Sequence, residues 1–342
     1  MARIDELRLM AKVARMYYTR GLNQTQICER LDIHQSTVSR LLRKAEREGI
    51  VRIAVSLPSG SHTEVEDALE TTFGLRDAVV VDCLEDEDQI ARDLGAAAAF
   101  YLETTIKPGD VIGISSWSAS LLSMVDCMHP NSRSKTEKVV QILGGVGNPN
   151  AAFHATTLTR RLASLIGATA TLLPAPGVVG SAEAKRVLMR DPFVREATGL
   201  FDSITLALVG IGCVEPSKAL ASSGNVFSPK ELRTLASRGA VGDICLRFFD
   251  EAGKPVVTDL DERVISIGLG QLTRARRVVG VAGGRRKTAA IRAAVVGKLV
   301  NVLITDLGAA QRLLGERTGQ TKPDAAAPKA ISGPGRKVRR TS

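Results

Sequence analysis

The stretch GLNQTQICERLDIHQSTVSRLLRKAEREGIV, Gly21–Val51, contains two short amphipathic helix patterns separated by a tight turn. The first pattern covers residues 24–31, and the second runs from about Gln35 to Glu48 and stops at Gly49. Two short helices joined by a turn of three or four residues predict a helix-turn-helix, the motif that places its second helix in the DNA major groove. The alternative is an ordinary small helical bundle with a basic surface.

The second helix pattern has one apolar face and one polar face. Val38, Leu41, Leu42 and Ala45 form the apolar stripe, and Ser36, Arg40 and Arg43 lie opposite. An arginine can donate to guanine O6 and N7 together, a glutamine can pair with adenine, and small hydroxyls and lysines hold phosphates. The predicted DNA-binding residues are Gln35, Ser36, Thr37, Ser39, Arg40, Arg43, Lys44 and, on a following strand, Arg52.

The sequence on either side extends this unit. Leu7, Met10, Ala11, Ala14, Tyr17 and Tyr18 recur at helical spacing, which predicts one amphipathic helix over residues 3–20 that ends at Gly21. Residues 50–55 alternate in polarity and predict a β wing from which Arg52 points outward. His34 occupies the N-cap position of the second helix, where Ser or Thr would cap better.

The charge of the chain is concentrated at its two ends. The formal net charge is +10, of which residues 1–55 carry +5 and residues 317–342 carry +6, so the residues between them sum to −1. Basic ends indicate binding to a phosphate backbone, because Lys and Arg release condensed counterions, and the neutral middle is suited to a small molecule or a protein. Three prolines and several glycines in residues 317–342 predict a disordered tail.

The composition is that of a globular chain, with 342 residues, 44% hydrophobic and 24% charged. It excludes a collagenous repeat, a wholly disordered chain and a small disulfide scaffold. No apolar run approaches the ~18 residues of a membrane helix, and the N-terminus lacks the apolar core of a signal peptide. We therefore expect a cytoplasmic protein with no membrane partner. The five scattered cysteines form no Cys-x-x-Cys pair and predict neither a zinc site nor disulfides.

A breaker-rich segment, residues 58–62, precedes a long stretch in which apolar strand patterns alternate with helical ones. This alternation predicts a doubly wound parallel α/β domain whose ligands bind beyond the carboxyl ends of the strands. Helices are predicted over residues 88–104 and 154–166. Strands are predicted over residues 78–81, 110–114, 138–143, 170–173, 203–209, 278–281 and 302–305.

Four segments near the predicted strand ends suit a polar ligand. Ser115–Ser120 brings hydroxyls to a helix start, where an anion or polyol oxygens can bind, although Ser116 or Ser118 could simply cap the helix. Gly283–Lys287 combines glycines that admit a ligand with a lysine, although a plain strand-to-helix turn would also fit. Gly144 and Gly145 follow another strand. Asp243 lies among apolar residues and could bind sugar hydroxyls, or could equally serve as a cap or in a salt bridge.

These segments together resemble the SorC family of sugar-responsive bacterial transcriptional regulators. The resemblance is carried by residues 21–27, 36–42 and 48–51, and then in order by residues 112–121, 143–145, 173–177, 209–212, 242–250, 280–287 and 303–306. It implies an effector domain similar in fold to sugar-phosphate isomerases and deaminases that binds a sugar or its phosphate. It also implies that Ser116–Ser120 and Gly283–Lys287 hold oxygens or phosphate, that Asp243 binds hydroxyls, and that the assembly is a tetramer. The chain departs from the family pattern at Ser118 and Ser120, where Gly and Thr are common.

An active sugar-phosphate isomerase or deaminase with a DNA-binding head is the alternative function. In the deaminase relatives, a Gly-x-Gly segment leads into Asp-Gly-His, whose acid and imidazole move protons. Here Gly210-Ile211-Gly212 leads into Cys213-Val214-Glu215-Pro216, which lacks both groups. No loop matches a Walker A or dinucleotide motif, so no cofactor and no metal are predicted. The sequence therefore predicts a transcriptional regulator and not an enzyme.

The complete prediction has three parts. Residues 1–57 form a winged helix-turn-helix, residues 58–316 form the effector domain, and residues 317–342 form a basic disordered tail. The partners are double-stranded operator DNA, a sugar, polyol or sugar phosphate, and further copies of the chain in a dimer or tetramer. The predicted effector-binding residues are Ser115, Ser116, Trp117, Ser118, Ser120, Gly144, Gly145, Asp243, Gly283, Gly284 and Lys287.

Overall fold

A computed structural model of the protein describes residues 2–51, 61–84, 86–130, 136–145, 149–215 and 227–315. Contacts between residues divide the chain into two compact units, Met1–Ser59 and Gly60–Ser342. The predicted wing from residue 52 onward, most of the predicted hinge and the predicted tail lie outside the described residues.

The first unit contains the predicted helix-turn-helix. Its helices are α1 (Ala2–Ala14), α2 (Gln24–Leu31) and α3 (Gln35–Arg47), and a π-helical turn, Arg15–Thr19, continues α1. They share one apolar core, in which Met10, Val13, Ile27, Val38 and Ala45 are fully buried. The α2–α3 turn contains Asp32 in the left-handed conformation, with φ of 52°.

The end of α1 differs from the prediction of a single regular helix over residues 3–20. In the π turn, the amide of Arg20 donates to the carbonyl of Arg15, and this wider spacing changes the angular phase of the last residues. Met16 is buried, whereas Tyr17 and Tyr18 are 37% and 42% exposed. Leu7 and Ala11, which precede the π turn, are exposed as well, and Val13 is buried instead. The predicted stripe is therefore right at Met10 and Ala14 and wrong at Leu7, Ala11, Tyr17 and Tyr18.

The ends of α2 and α3 are capped unequally. Asn23 and Gln26 form a capping box at the start of α2, with each side chain bonded to the other residue's amide. His34 is the N-cap of α3, as predicted, and its side chain makes no capping hydrogen bond. The start of α3 therefore lacks a stabilising contact that the start of α2 has.

The second unit contains two β-sheets. Their strands are β1 (Asp77–Val81), β2 (Val111–Ile114), β3 (Lys138–Gln141), β4 (Thr169–Thr171), β5 (Leu206–Gly210), β6 (Gly212–Cys213), β7 (Gly242–Ile244), β8 (Arg247–Phe249), β9 (Arg277–Val281) and β10 (Val302–Asp306). The larger sheet is parallel and has seven strands in the order β1-β10-β9-β5-β2-β3-β4. The smaller sheet is antiparallel and has the order β6-β7-β8.

Helices cover both faces of the parallel sheet, as the doubly wound prediction requires. The helices are α4 (Thr63–Phe73), α5 (Glu87–Thr105), α6 (Ala119–Cys127), α7 (Pro149–Ile166), α8 (Ala182–Leu188), α9 (Pro192–Gly199), α10 (Pro229–Ser237), α11 (Leu269–Leu272), α12 (Thr288–Val296) and α13 (Leu307–Leu314). The core on one face contains apolar residues of α5, α6 and α7, and the core on the other face contains residues of α4, α9, α10, α12 and α13.

The strand predicted over residues 203–209 begins later than expected, because a 3₁₀ turn, Phe201–Ser203, precedes it. Thr205 is held at the strand start by its hydroxyl, which donates to Asp110 Oδ1 at 2.7 Å. Asp110 is 2% exposed and also pairs with Arg277, which is 4% exposed, at 2.9 Å. This buried pair fastens the amino ends of β2 and β9 together.

Candidate functional site

The first candidate site is the exposed face of α3. Ser36, Arg40 and Arg43 are exposed, and the predicted apolar stripe is buried. Together with Ser39 and Arg47 they line one shallow depression on the surface. Gln35 is exposed at the helix start, and Thr37 is half-buried beside it. The structure thus brings most of the predicted DNA-binding residues to one surface, while Arg52 lies outside the described residues.

Three arginines of this surface form no ion pair within the described part of the first unit. Within residues 2–51, Arg40, Arg43 and Arg47 have no carboxylate within ion-pair distance. Sequence analysis missed Arg47, although its helical position places it in line with Arg40 and Arg43 on the face opposite Val38. A row of unpaired guanidinium groups is suited to phosphates and guanine edges.

Two contacts clamp α3 to the first helix. On one flank, Lys44 Nζ pairs with Glu6 Oε1 at 2.6 Å. On the other flank, the Tyr18 hydroxyl donates to Glu46 Oε1 at 2.5 Å, and this bond to a carboxylate raises the pKa of Tyr18 to about 12. Lys44 was predicted to bind a phosphate, and it would have to exchange Glu6 for that phosphate.

The second candidate site lies at the carboxyl end of the parallel sheet. The chain proceeds from β2 to β3 and β4 in one direction and to β5, β9 and β10 in the other, so the strand order reverses between β2 and β5. In open α/β sheets, ligands bind in the crevice that forms at such a reversal. The loops after β2 and β5 meet there, since Gly210 lies against Ser118, and β7 adjoins them, since Gly212 lies against Asp243. We call this end of the sheet, together with the loop after β9, the effector crevice.

The serine loop after β2 packs closely into the crevice. Ser115, Ser116 and Ser120 are 4%, 8% and 6% exposed. Ser116 Oγ donates to the carbonyl of Leu143 at 3.1 Å, whereas Ser118 Oγ accepts from the amide of Leu121 at 3.3 Å. The capping alternative thus holds for Ser118 and not for Ser116.

One indole and one pair of glycines complete this side. The Trp117 Nε1 atom is buried and has no hydrogen-bond partner among the described residues, so it is a donor without an acceptor. The amide of Gly144 donates to Ile265 at 3.1 Å, and that of Gly145 donates to Ala175 at 2.9 Å. Both glycine amides are therefore used within the protein, and Gly144 and Gly145 can offer a ligand a close wall but no free N–H donor.

Asp243 and Lys287, an acid and a base at this end of the sheet, act on each other electrostatically. Burial raises the pKa of Asp243 to about 6, although the amide of Leu246, which donates to Asp243 Oδ2 at 3.0 Å, and the charge of Lys287 both oppose the rise. Burial likewise lowers the pKa of Lys287, against the attraction of Cys213 and Asp243. The serine loop adjoins this acid, because the Ser115 side chain is hydrogen-bonded to the side chain of Cys245, which is two residues after Asp243.

The loop after β9 contains the predicted glycines. Gly284 has φ of +87°, a conformation that disfavours any side chain, and its amide donates to Asp306 Oδ2 at 2.5 Å. Arg285–Lys287 forms a 3₁₀ turn that leads directly into α12. Arg286 lies 3.7 Å from Glu87 and 3.7 Å from Cys213 Sγ, so it connects the start of α5 to the end of β6.

Sequence analysis gave no binding role to Asp306, Cys213 or Gln141 at this end of the sheet, and it included Arg286 only as part of the segment Gly283–Lys287. Gln141 is 2% exposed, its Nε2 donates to the carbonyl of Leu143 at 2.8 Å, and its Oε1 has no partner among the described residues. The polar residues Gln141 and Asp306 each end a buried apolar strand, and that pattern is the signal that could have identified them.

The described part of the chain offers neither a metal site nor a membrane span. It contains no cluster of three or more His, Cys, Asp or Glu side chains placed to hold a metal ion. None of its helices is both long enough and apolar enough to cross a membrane.

Two family models match the chain. A sugar-binding domain, Sugar-bind, matches residues 58–315, and a homeodomain-like domain, HTH_23, matches residues 6–53. The chain is 33% identical to the sorbitol operon regulator of Klebsiella pneumoniae over 320 residues, which cover 92% of this chain and 100% of the relative. It is 32% identical to the deoxyribonucleoside regulator of Bacillus subtilis (strain 168) over 313 residues, which cover 91% of this chain and 99% of the relative.

Solved structures match as well. The crystal structure of the full-length sorbitol operon regulator SorC from Klebsiella pneumoniae is 32% identical, has a TM-score of 0.68, and covers 90% of this chain and 98% of its own. The sugar-binding domain of the transcriptional regulator DeoR from Pseudomonas syringae pv. tomato is 45% identical, with a TM-score of 0.60, and covers 75% of this chain and 100% of its own.

These relatives are named as regulators, which confirms the prediction that the chain is a regulator and not an isomerase or deaminase. Their similarity extends over both units, and the family models describe the first as a homeodomain-like domain and the second as a sugar-binding domain. The chain therefore belongs to the SorC family of sugar-responsive transcriptional regulators.

Proposed function

We propose that a sugar, polyol or sugar phosphate binds in the effector crevice and thereby controls how the chain binds its operator. The observation that carries this proposal is that Asp243 and Lys287, two partly buried groups of opposite charge that act on each other's pKa, lie at the same end of the sheet as a buried serine loop. The proposed binding residues are Ser115, Ser116, Trp117, Ser118, Ser120, Gly144, Gly145, Asp243, Gly283, Gly284 and Lys287.

The chemistry of these groups matches a polyhydroxylated ligand. A carboxylate such as Asp243 accepts hydrogen bonds from hydroxyls, and a serine hydroxyl can donate or accept. Lys287 and the backbone at the start of the turn before α12 suit an anionic group. Trp117 Nε1 supplies a buried donor that a ligand oxygen can satisfy.

For the DNA site, we propose that Arg40, Arg43 and Gln35 contact bases. Ser36, Thr37, Ser39, Lys44 and Arg52 then hold phosphates or flank the reading face, and Arg47 adds a phosphate contact. Two such helices read half-sites about one helical turn apart, which requires at least a dimer. We further propose that residues 1–57 and 58–316 are the functional domains, that residues 317–342 are a basic tail, and that the protein acts in the cytoplasm as a dimer or tetramer.

A thermal-shift screen of the full chain tests the effector proposal. The panel is sorbitol, sorbitol 6-phosphate, ribose 5-phosphate and fructose 6-phosphate, with sorbitol chosen because one relative is named for it. A ligand present at 100 times its Kd adds about 2.7 kcal/mol to the free energy of unfolding. We expect at least one compound to do so, and Lys287→Ala to abolish the shift.

Lys230→Ala is the matched control, because Lys230 is an exposed lysine on α10, outside the crevice. If no compound stabilises the wild-type protein, or if Lys287→Ala binds the active compound as tightly as Lys230→Ala does, the effector proposal is wrong.

A further inference from the structure

Asp306, the last residue of β10, divides its carboxylate between two elements. Oδ2 accepts from the amide of Gly284 at 2.5 Å, and Oδ1 accepts from the amide of Ala309 at 2.8 Å, which caps α13. The residue is 6% exposed. One buried side chain therefore holds both the loop after β9 and the first turn of the helix after β10.

The loop cannot move without disturbing this carboxylate. A side chain at Gly283 would collide with Asp306, so the loop backbone lies directly on it. The amide of Lys287 donates to the carbonyl of Gly284 at 3.2 Å, and Gly284 in turn donates to Asp306. A continuous set of hydrogen bonds thus runs from the backbone of the proposed effector-binding lysine to Asp306.

Asp306 is also connected to α4, because the helix that it caps, α13, packs against α4. The two helices pack together, and Ala310 and Leu313 of α13 lie in the same core as Leu69 and Phe73 of α4. A change in the cap of α13 therefore bears on the helix against which α13 packs.

Helix α4 is the first helix of the second unit and is fixed along its length. Glu66 and Glu70, one turn apart, accept from the amides of Val80 and Ala78 at 2.9 and 3.0 Å, so the helix is attached to the free edge of β1. At its start, His62 Nε2 lies 2.9 Å from Asp82 Oδ1. Such a helix moves as one body with the edge strand, and its first turn directly follows the segment that joins the two units.

We propose that Asp306 is the coupling residue of this regulator, which passes the state of the loop Gly283–Lys287 through α13 to the start of α4. The proposal rests on the proposed function, since it assumes that the effector acts at Lys287. A ligand that binds Lys287 shifts the loop and so alters the hydrogen bond from Gly284 to Asp306. The Asp306 carboxylate then also changes its hydrogen bond to Ala309 at the start of α13. Two packed arrangements of α13 against α4 are the alternative states that the effector biases.

Asp306→Asn separates the two hydrogen bonds, and it also removes the charge that lies 4.0 Å from Arg312 of α13. An asparagine oxygen can still accept from Ala309 and cap α13, but its amide group then faces the N–H of Gly284 and gives it no acceptor. Asp191→Asn is the matched control, because Asp191 caps α9 through Phe193 and Val194 at 2.9 and 3.2 Å and holds no part of the effector crevice.

The experiment uses the full chain and a DNA fragment selected for wild-type binding. The DNA affinity is measured with and without the panel compound that gives the largest wild-type thermal shift. Effectors typically change the affinity of a coupled site by about 5- to 150-fold. We expect Asp306→Asn to bind DNA alone within about threefold of wild type, while the effect of a saturating concentration of the compound on DNA affinity falls below about twofold. Asp191→Asn should keep the full wild-type effect.

Full coupling in Asp306→Asn, or an equal loss in Asp191→Asn, overturns the coupling role of Asp306. If no compound alters DNA binding by the wild-type protein, the proposed function fails, and amide hydrogen exchange then judges Asp306 without a ligand. In that measurement, exchange over residues 62–73 should be faster in Asp306→Asn than in wild type or Asp191→Asn. Unchanged exchange in that segment contradicts the proposal.

Discussion

Effector binding should weaken as the pH falls through about 6, because Asp243 must be ionised to accept ligand hydroxyls beside Lys287. The folded-state pKa of Asp243 is about 6. The carboxyl is then about 97% ionised at pH 7.5 and about 9% ionised at pH 5, so the Kd should rise about tenfold between these values. Isothermal titration of the full chain with the panel compound at half-unit pH steps measures this change.

Asp243→Asn provides the control, because its amide does not titrate. A phosphorylated ligand itself titrates near pH 6, so only the part of the pH dependence that disappears in Asp243→Asn belongs to the carboxyl. The pKa of Asp243 is raised on folding, so its contribution to the free energy of unfolding is largest at low pH and is lost as the pH rises through about 6. An identical pH profile in wild type and Asp243→Asn would refute the assigned role of Asp243.

Three further substitutions test other parts of the structure. Arg47→Ala should weaken DNA binding nearly equally for all sequences and reduce the slope of log affinity against log salt by about 0.9, which filter binding at several salt concentrations measures; an unchanged slope contradicts a phosphate contact. Arg277→Ala should cost about 3 kcal/mol in urea unfolding, the low end for breaking a buried pair, because it leaves the buried Asp110 carboxylate with only the half-exposed Arg276 as an ion-pair partner, and a cost below about 1 kcal/mol would exclude that role. His34→Ser should raise the free energy of unfolding of the first unit by about 0.5–1 kcal/mol by supplying the missing cap, and a lower melting temperature would argue against it.

The main elements of both units could be predicted from the sequence because their signals are local. A parallel strand buried on both faces is a short apolar run, as in Val278–Val281, and the structure places β9 there. The buried stripe of α3 likewise follows from helical periodicity around Val38. The π turn at Arg15–Thr19 was missed because a pattern of 3.6 residues per turn assumes a regular helix.

The missed roles depend on contacts between distant parts of the chain. Asp306 meets Gly284 because β10 lies next to β9, and Arg286 meets Glu87 across elements that are far apart in sequence. Strand order in space is not encoded in any single segment. Lys44 illustrates the same limit, since its exposed position could be predicted but its pairing with Glu6 could not.

The most direct test of the account is a crossed pair of substitutions assayed for both activities. Arg40→Ala should lose about 1–3 kcal/mol of discrimination between the selected DNA and a mismatched sequence, while it binds the panel compound as wild type does. Lys287→Ala should keep DNA discrimination and lose the compound. If each substitution abolishes both activities, DNA reading and effector binding do not reside in separate sites, and the account is wrong.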